Sequence, residues 1–207
     1  MSIPAVEPDS VFLNIPYDST FRRLYVAYIS GLTQCGLVPH ATLEISGGER
    51  RLDRILNLIQ RCPYSIHDLS RVEVDRNPPF STPRFNMPFE LGMAVTWQKM
   101  RPDPENYKWF VFESKNRRLD KSLSDLKGTD PNIHDGTIEG VMRELCNAFQ
   151  RDDNITPEVP DMLHAYRKLS RKVPDILARA GTDDIFQARV FKQLCLAANE
   201  IAWPASL

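Results

Sequence analysis

The residue best suited to chemistry in this chain is Glu90, in the segment from Arg84 to Gly92. It follows Asn86-Met87-Pro88-Phe89, and this pattern predicts that Glu90 lies in the first turn of a helix. The helix dipole stabilises a carboxylate there, which is a structural reason for its presence. Gly92 costs about 1 kcal/mol inside a helix and usually marks close packing or a ligand near the backbone. The segment is therefore the first candidate site, and both interpretations of Glu90 stay open.

Polar loops after the predicted strands supply further candidates, because an open parallel sheet binds ligands at the carboxyl ends of its strands. The Gly47-Gly48 pair at a helix start could present backbone N–H groups to a phosphate, with Arg50 and Arg51 nearby. The alternative is that the segment Ser46 to Glu49 is a capping box in which the glycines only make the turn. The candidate substrate-binding residues are Asn14, Tyr17, Asp18, Gly47, Gly48, Arg71, Arg84 and Asn86.

His67 and Asp68 lie at the end of the third predicted strand, and their side chains point to opposite faces of the sheet. For His67, a buried and hydrogen-bonded histidine is favoured over a catalytic one. Asp68 either caps the following loop or takes part in chemistry. The residues alone do not decide between these two roles of Asp68.

The elements that would position these residues alternate between strand and helix. Strands separated by helices of about 10 to 15 residues predict parallel βαβ units with right-handed crossovers. The predicted class is therefore α/β, with a doubly wound, flavodoxin- or Rossmann-like, mainly parallel sheet, and residues 116–136 hold a short edge strand. The predicted strands are Val11–Ile15, Leu37–Ile45, Tyr64–Leu69 and Trp109–Phe112, and apolar residues recur at helical spacing from Phe21, Leu52, Phe89 and Ile138.

The pattern changes towards the C-terminus. Residues 1–150 are predicted to form the α/β ligand-binding domain. Residues 151–207 are predicted to form a helical extension, which begins with a polar hinge at 151–160. Breaks in the extension are expected near Pro174 and Gly181. Its apolar residues are too many to leave in water, so a face should be buried against the domain or a second copy, and we expect a homo-oligomer. These residues are Ile185, Phe186, Phe191, Leu194 and Leu196.

Composition and charge limit the classes of partner. A formal net charge of -1 argues against direct binding of nucleic acid. No apolar run approaches the roughly 20 residues that cross a bilayer, and residues 1–10 lack the pattern of a secretory signal. The four cysteines are too far apart to form a metal clip or a redox motif. A cytoplasmic protein without membrane contact is therefore expected.

Three motifs combine the candidate residues above. They are Phe12-Leu13-Asn14-Ile15-Pro16, Tyr64-Ser65-Ile66-His67-Asp68-Leu69-Ser70 and Met87-Pro88-Phe89-Glu90-Leu91-Gly92-Met93-Ala94. Together they resemble the nucleoside 2-deoxyribosyltransferase family and its relatives, which include the Toll/interleukin-receptor-like NAD glycohydrolases. The likeness covers about residues 11 to 113. It implies a nucleoside- or nucleotide-binding domain in which Glu90 is the nucleophile and Asp68 the strand-end aspartate of the family.

Two positions depart from the family pattern. The family usually has a tyrosine where this chain has Phe12, and Tyr17 is a candidate replacement. The family also has an aspartate six positions before the glutamate, where this chain has Arg84. An arginine there suits a phosphate, which favours a nucleotide or dinucleotide over a free nucleoside. The fold and glycosidic chemistry are therefore carried over, but the deoxyribosyl substrate is not.

The resulting hypothesis is an enzyme that cleaves or transfers the N-glycosidic bond of a nucleotide, a nucleoside or NAD, acting as an effector that depletes the metabolite. Glu90 attacks or stabilises the anomeric carbon, while Asp68 orients the ribose or assists the leaving base. No metal or other cofactor is required, and NAD or a nucleotide enters as the substrate. The alternative is a nucleotide-sensing or partner-binding module without turnover.

Overall fold

A computed structural model of the chain describes residues 5–44, 50–72, 74–75, 82–83, 85–126, 128–150 and 157–204. Gly47, Gly48 and Arg84 lie outside the described residues, as do the Ser46–Glu49 segment and most of the predicted hinge. The strands are β1 (Ser10–Asn14), β2 (Val38–His40), β3 (Tyr64–Asp68), β4 (Val74–Asp75), β5 (Thr82–Pro83), β6 (Lys108–Glu113) and β7 (Asn132–Ile133). The helices are α1 (Arg22–Gln34), α2 (Arg51–Arg61), α3 (Asn86–Met100), α4 (Arg118–Ser122), α5 (Ile138–Ala148), α6 (Val159–Ala180) and α7 (Ala188–Ala202).

Five strands form one parallel sheet in the order β2-β1-β3-β6-β7, and β4 and β5 form a separate antiparallel pair. Helices α1 and α5 cover one face of the sheet, and α2 and α3 cover the other. The predicted α/β class with a doubly wound sheet is therefore confirmed. The chain runs from β1 outward to β2, returns to β3 beside β1, and continues to β6 on the other side. The strand order thus reverses between β1 and β3, the switch point at which such sheets bind ligands.

The side chains of β1 alternate between two buried cores. Val11 and Leu13 belong to the larger core, under α1, α5, α6 and α7. Phe12 belongs to a smaller core under α2 and α3. Because successive side chains of a strand point to opposite faces, Asn14 shares the face of Phe12. The last residue of β1 therefore directs a buried amide towards α2 and α3.

The second strand is shorter than predicted. The expected strand over Leu37–Ile45 is limited to Val38–His40 in the described residues. Pro39 lacks a backbone N–H, so it can lie only where one side of the strand needs no partner, and β2 is an edge of the sheet. The edge strand predicted within residues 116–136 is present as β7 on the opposite edge.

The C-terminal helices α6 and α7 share the core of α1. Ile185, Phe191 and Leu194 are buried, as expected for the apolar face of this region, and Phe186 is partly buried against the same core. Leu196 differs, because it is 65% exposed. Most of the predicted apolar face therefore packs within the same chain.

The break predicted near Pro174 is wrong, because α6 runs through it from Val159 to Ala180. A proline removes one backbone hydrogen bond and strains the preceding turn. Val173 and Ile176 on either side are buried in the core, and this packing holds the helix together across the proline. The helix does end at Gly181, whose φ of 65° suits a glycine and whose N–H bonds the carbonyl of Ala178 at 3.0 Å.

Phe191→Ala tests whether α7 stabilises the α/β core. Phe191 is fully buried and contacts Tyr25 of α1, with 6.2 Å between ring centroids. We expect a loss of about 3 to 5 kcal/mol in the free energy of unfolding, measured by urea titration. The control, Leu196→Ala on the exposed side of α7, should change it by less than about 0.5 kcal/mol. Equal effects of both changes would contradict a stabilising role of this contact.

Candidate functional site

The candidate site lies at the carboxyl ends of β1 and β3, at the switch point of the sheet. Asn14 is the last residue of β1 and pairs in register with His67 of β3. Glu90 of α3 and Arg51 of α2 approach the same edge from the helix side. Among the predicted residues, the structure therefore brings Asn14 and Glu90 together.

Glu90 is only 3% exposed and is incompletely paired. Its Oε1 lies 3.8 Å from Nη2 of Arg51, whereas its Oε2 is buried with no hydrogen-bond partner among the described residues. Unpaired buried carboxylate oxygens are uncommon, because burial without a hydrogen bond is costly. A ligand that reached this oxygen would supply the hydrogen bond that it lacks.

The position of Glu90 within α3 differs from the prediction. The helix begins at Asn86, so Glu90 is its fifth residue and lies in the second turn rather than the first. Pro88 does not delay the start, since proline is tolerated in a first turn. The effect of the helix dipole is largest within the first turn. This placement weakens the explanation of Glu90 as a helix-dipole partner.

Burial raises the pKa of Glu90 from 4.5 to about 7, against the opposing effects of the Arg51 charge and a hydrogen bond from Asn14. The carboxyl group is therefore divided between its protonated and ionised forms at neutral pH. Such a group can act as an acid, a base or a nucleophile under physiological conditions.

A buried chain of hydrogen bonds orients Asn14. Its amide nitrogen, which can only donate, lies 3.0 Å from Nδ1 of His67. His67 therefore carries its proton on Nε2, which lies 3.0 Å from Oγ of Ser65, and that oxygen also accepts from the Tyr107 hydroxyl at 2.9 Å. Burial lowers the pKa of His67 to about 3, so the ring is neutral at physiological pH. His67 thus fixes the amide of Asn14, which lies close enough to Glu90 to lower the pKa of its carboxyl group.

Asp68 faces the opposite side of the sheet and is fully buried. Its Oδ2 accepts from the Tyr28 hydroxyl at 2.7 Å and lies 3.2 Å from Nε2 of His134, while its Oδ1 accepts from the Ser70 backbone N–H at 2.8 Å. Nδ1 of His134 accepts from the Gly136 backbone N–H, so its proton lies on Nε2 and faces Asp68. Both oxygens of Asp68 are thus paired within the protein. The role of Asp68 at a sugar stays a prediction.

Tyr17, Asp18 and Arg71 line the loops beside this edge. The Tyr17 hydroxyl donates to the Leu13 carbonyl at 3.4 Å, and burial raises the pKa of its phenol. Asp18 accepts from the backbone N–H of Phe21, capping a short 3-10 helix, and also lies 3.3 Å from Nε of Arg71. The Asp18–Arg71 pair joins the loops that follow β1 and β3. Its contacts give it a structural role, and a role in ligand binding stays a prediction.

Asn86 and Gly92 lie on the exposed side of α3. Asn86 is the first residue of the helix. A Cβ added to Gly92 would meet nothing within 4 Å, so the close packing suggested by the sequence is absent among the described residues. Neither residue therefore explains the burial of Glu90.

Tyr28 and His134 are polar neighbours that the sequence did not indicate, whereas Arg51 was expected beside a phosphate at Gly47-Gly48 and not beside Glu90. Arg51 had a detectable signal, since it follows a predicted helix start at the ligand-binding edge. The contact of His134 with Ser70 spans 64 residues and has no local signature. Partners of that kind become visible only in the folded chain.

Comparison of the chain with protein-family models, with curated proteins and with solved structures found no match. Within the described residues, no group of three or more His, Cys, Asp or Glu side chains could hold a metal ion. No helix in that part of the chain is long and apolar enough to cross a membrane. The functional assignment therefore rests on the geometry around Glu90.

The raised pKa of Glu90 predicts a pH dependence of stability that Glu90→Gln removes. The folded state binds the proton more tightly than the unfolded state, so this group favours folding below pH 4.5 and loses that contribution as pH rises to about 7. The size of the loss is about 3 kcal/mol. We therefore expect urea titrations to show Glu90→Gln gaining stability relative to wild type between pH 5 and pH 8.

An exposed acid provides the control for the change in net charge. Glu105→Gln removes one carboxylate from the surface, away from Asn14 and Arg51. Parallel stability curves for wild type and Glu90→Gln would contradict a buried, unpaired carboxyl at position 90.

Proposed function

We propose that this chain cleaves or transfers the N-glycosidic bond of a nucleotide, a nucleoside or NAD, with Glu90 as the reacting carboxylate. The observation that carries the proposal is the buried, unpaired Oε2 of Glu90 at the switch point of the sheet. The resemblance of the Glu90, His67 and Asn14 motifs to the deoxyribosyltransferase family gives the same residue the same role.

The chemistry needs a carboxylate that meets a developing positive charge. As the bond between the anomeric carbon and the base nitrogen breaks, its electron pair leaves with the base. The nicotinamide of NAD leaves as a neutral molecule, whereas a purine or pyrimidine takes a proton from water. The ionised Oε2 of Glu90 forms a bond to the anomeric carbon, and water or a second base then displaces it. Exclusion of water strengthens the attraction between this carboxylate and the oxocarbenium-like transition state. The burial of Glu90 therefore favours the reaction it is proposed to perform.

Asn14 and Arg51 would prepare Glu90 for this step. The Asn14 amide favours the ionised form of Glu90, and His67 holds that amide in place. Arg51 lowers the cost of ionising Glu90 while keeping more than half of its side chain exposed. An exposed guanidinium beside the reacting group can also accept a phosphate, which favours a nucleotide over a free nucleoside.

The alternative function is a nucleotide-sensing or partner-binding module. The observation that favours it is the pairing of Asp68, which faces away from Glu90 and has no free oxygen. Without a second carboxylate, the leaving base would have to take its proton from water. A module of this kind would bind a nucleotide and leave it intact.

Glu90→Gln distinguishes the enzyme from the sensor. Glutamine keeps the size of the side chain but cannot supply the negative charge, so we expect base release to fall at least ~100-fold. Calorimetry should show that binding of the same nucleotide is retained. Chromatography of NAD and a panel of nucleosides and nucleotides, incubated with protein, measures the released base, and Glu105→Gln is the control. Binding without base release by the wild-type chain would instead support the sensor.

The pH profile tests whether Glu90 reacts as the ionised form. A nucleophile is active when deprotonated, so kcat/KM should rise with pH through about 7, the pKa of Glu90. Initial rates of base release between pH 5 and pH 9 measure this profile. A rate that falls over the same range would assign Glu90 as a general acid and contradict its role as nucleophile.

A further inference from the structure

An apolar surface runs along the outer sides of α2 and α3, which we name the α2–α3 face. Among the described residues, it holds five of the nine large apolar side chains that are exposed, with exposed fractions from 40% to 78%. A groove of about 480 Å³ lies along it, between Leu56 of α2 and Met100 of α3. The α2–α3 face comprises Leu52, Leu56, Phe85, Phe89, Gly92 and Met100.

The size of the face exceeds what a monomer usually exposes. Its five large side chains leave on the order of 500 Å² of apolar surface in water, judged from their exposed fractions. Single apolar patches on monomers rarely pass a few hundred Å². A stable dimer buries about 800 Å² on each partner, of which the centre is apolar and the rim polar. The exposed apolar area of the α2–α3 face is therefore similar to the apolar centre of a stable dimer interface.

We propose that the α2–α3 face binds a second copy of this chain in a two-fold dimer. The exposed apolar residues along α3 are spaced so that two antiparallel copies of the helix could match. Its ends are Phe85 and Met100, and the midpoint between them falls at Gly92 and Met93. A two-fold axis over Gly92 would set the helix antiparallel to its copy and bring each Phe85 against the partner's Met100. Aromatic rings and methionine sulfur attract each other in such contacts.

Gly92 explains how the two helices could approach closely. In a single copy Gly92 costs helix stability, and a Cβ there would meet nothing within 4 Å in the described part of the chain. At the centre of a two-fold helix crossing, the missing side chain lets the backbones approach each other. Gly92 has no packing role among the described residues of a single copy, and in the dimer it would be the point where the two α3 helices contact each other.

The experiment measures the molar mass of the full chain by sedimentation equilibrium from low to high micromolar concentration. Wild type should approach the mass of two chains of 23.7 kDa each. Met100→Asp places a charge in the interface and should weaken association at least ~30-fold. Gly92→Leu should weaken it equally while leaving the separate chain folded, because an added Cβ there meets nothing within 4 Å among the described residues. Circular dichroism checks the fold of each variant.

Leu196→Asp is the matched control, since Leu196 is also a highly exposed apolar residue but lies on α7. It should leave the dimer intact. A wild-type chain that keeps the mass of one copy at every concentration would overturn the proposal, and so would a dimer that survives Met100→Asp and Gly92→Leu. A single-copy chain that sediments with phosphatidylcholine vesicles would overturn it in favour of a lipid surface.

Discussion

The opposite orientation of neighbouring side chains at the end of β3 governs the polar interior of this protein. His67 and Asp68 are consecutive, so one faces α2 and α3 and the other faces α1. Each is fully buried and needs its own partners. Two separate networks result: Asn14, Ser65 and Tyr107 serve His67, while Tyr28 and Ser70 serve Asp68. The first network supports the candidate reacting carboxylate, and the second fastens the sheet to the helix beneath it.

The two networks differ in how completely they are satisfied. The oxygens of Asp68 accept well-formed hydrogen bonds, so this cluster stabilises the fold at little electrostatic cost. Glu90 has one oxygen without a partner among the residues that the structure describes, and a charge that burial disfavours. Local instability of this kind clusters at functional sites, where proteins give up stability for activity. The contrast separates a structural carboxylate from a candidate functional one within the same sheet.

Much of the fold was predictable because it depends on local patterns. The short apolar runs of β1 and β3 and the helical spacing in α1 and α2 identify those elements without knowledge of distant residues. The end of α6 at Gly181 was predictable for the same reason. Continuity through Pro174 was not, since it depends on burial of the residues around it. For the site, the sequence identified Asn14 and Glu90, but it could not show the pairing of Asp68, whose partners come from distant segments.

The hydrogen-bond chain behind Asn14 restricts which substitutions evolution can accept there one at a time. Each member has a fixed direction: Tyr107 and His67 both donate to Ser65, and Asn14 donates to His67. An aspartate at position 14 could not donate, and it would bring a second negative charge towards Glu90. With an aspartate at position 14, His67 would have to move its proton to Nδ1 or carry a second proton. Positions 14, 65, 67 and 107 are therefore expected to covary. These four side chains are expected to evolve together, although they come from two strands and a loop.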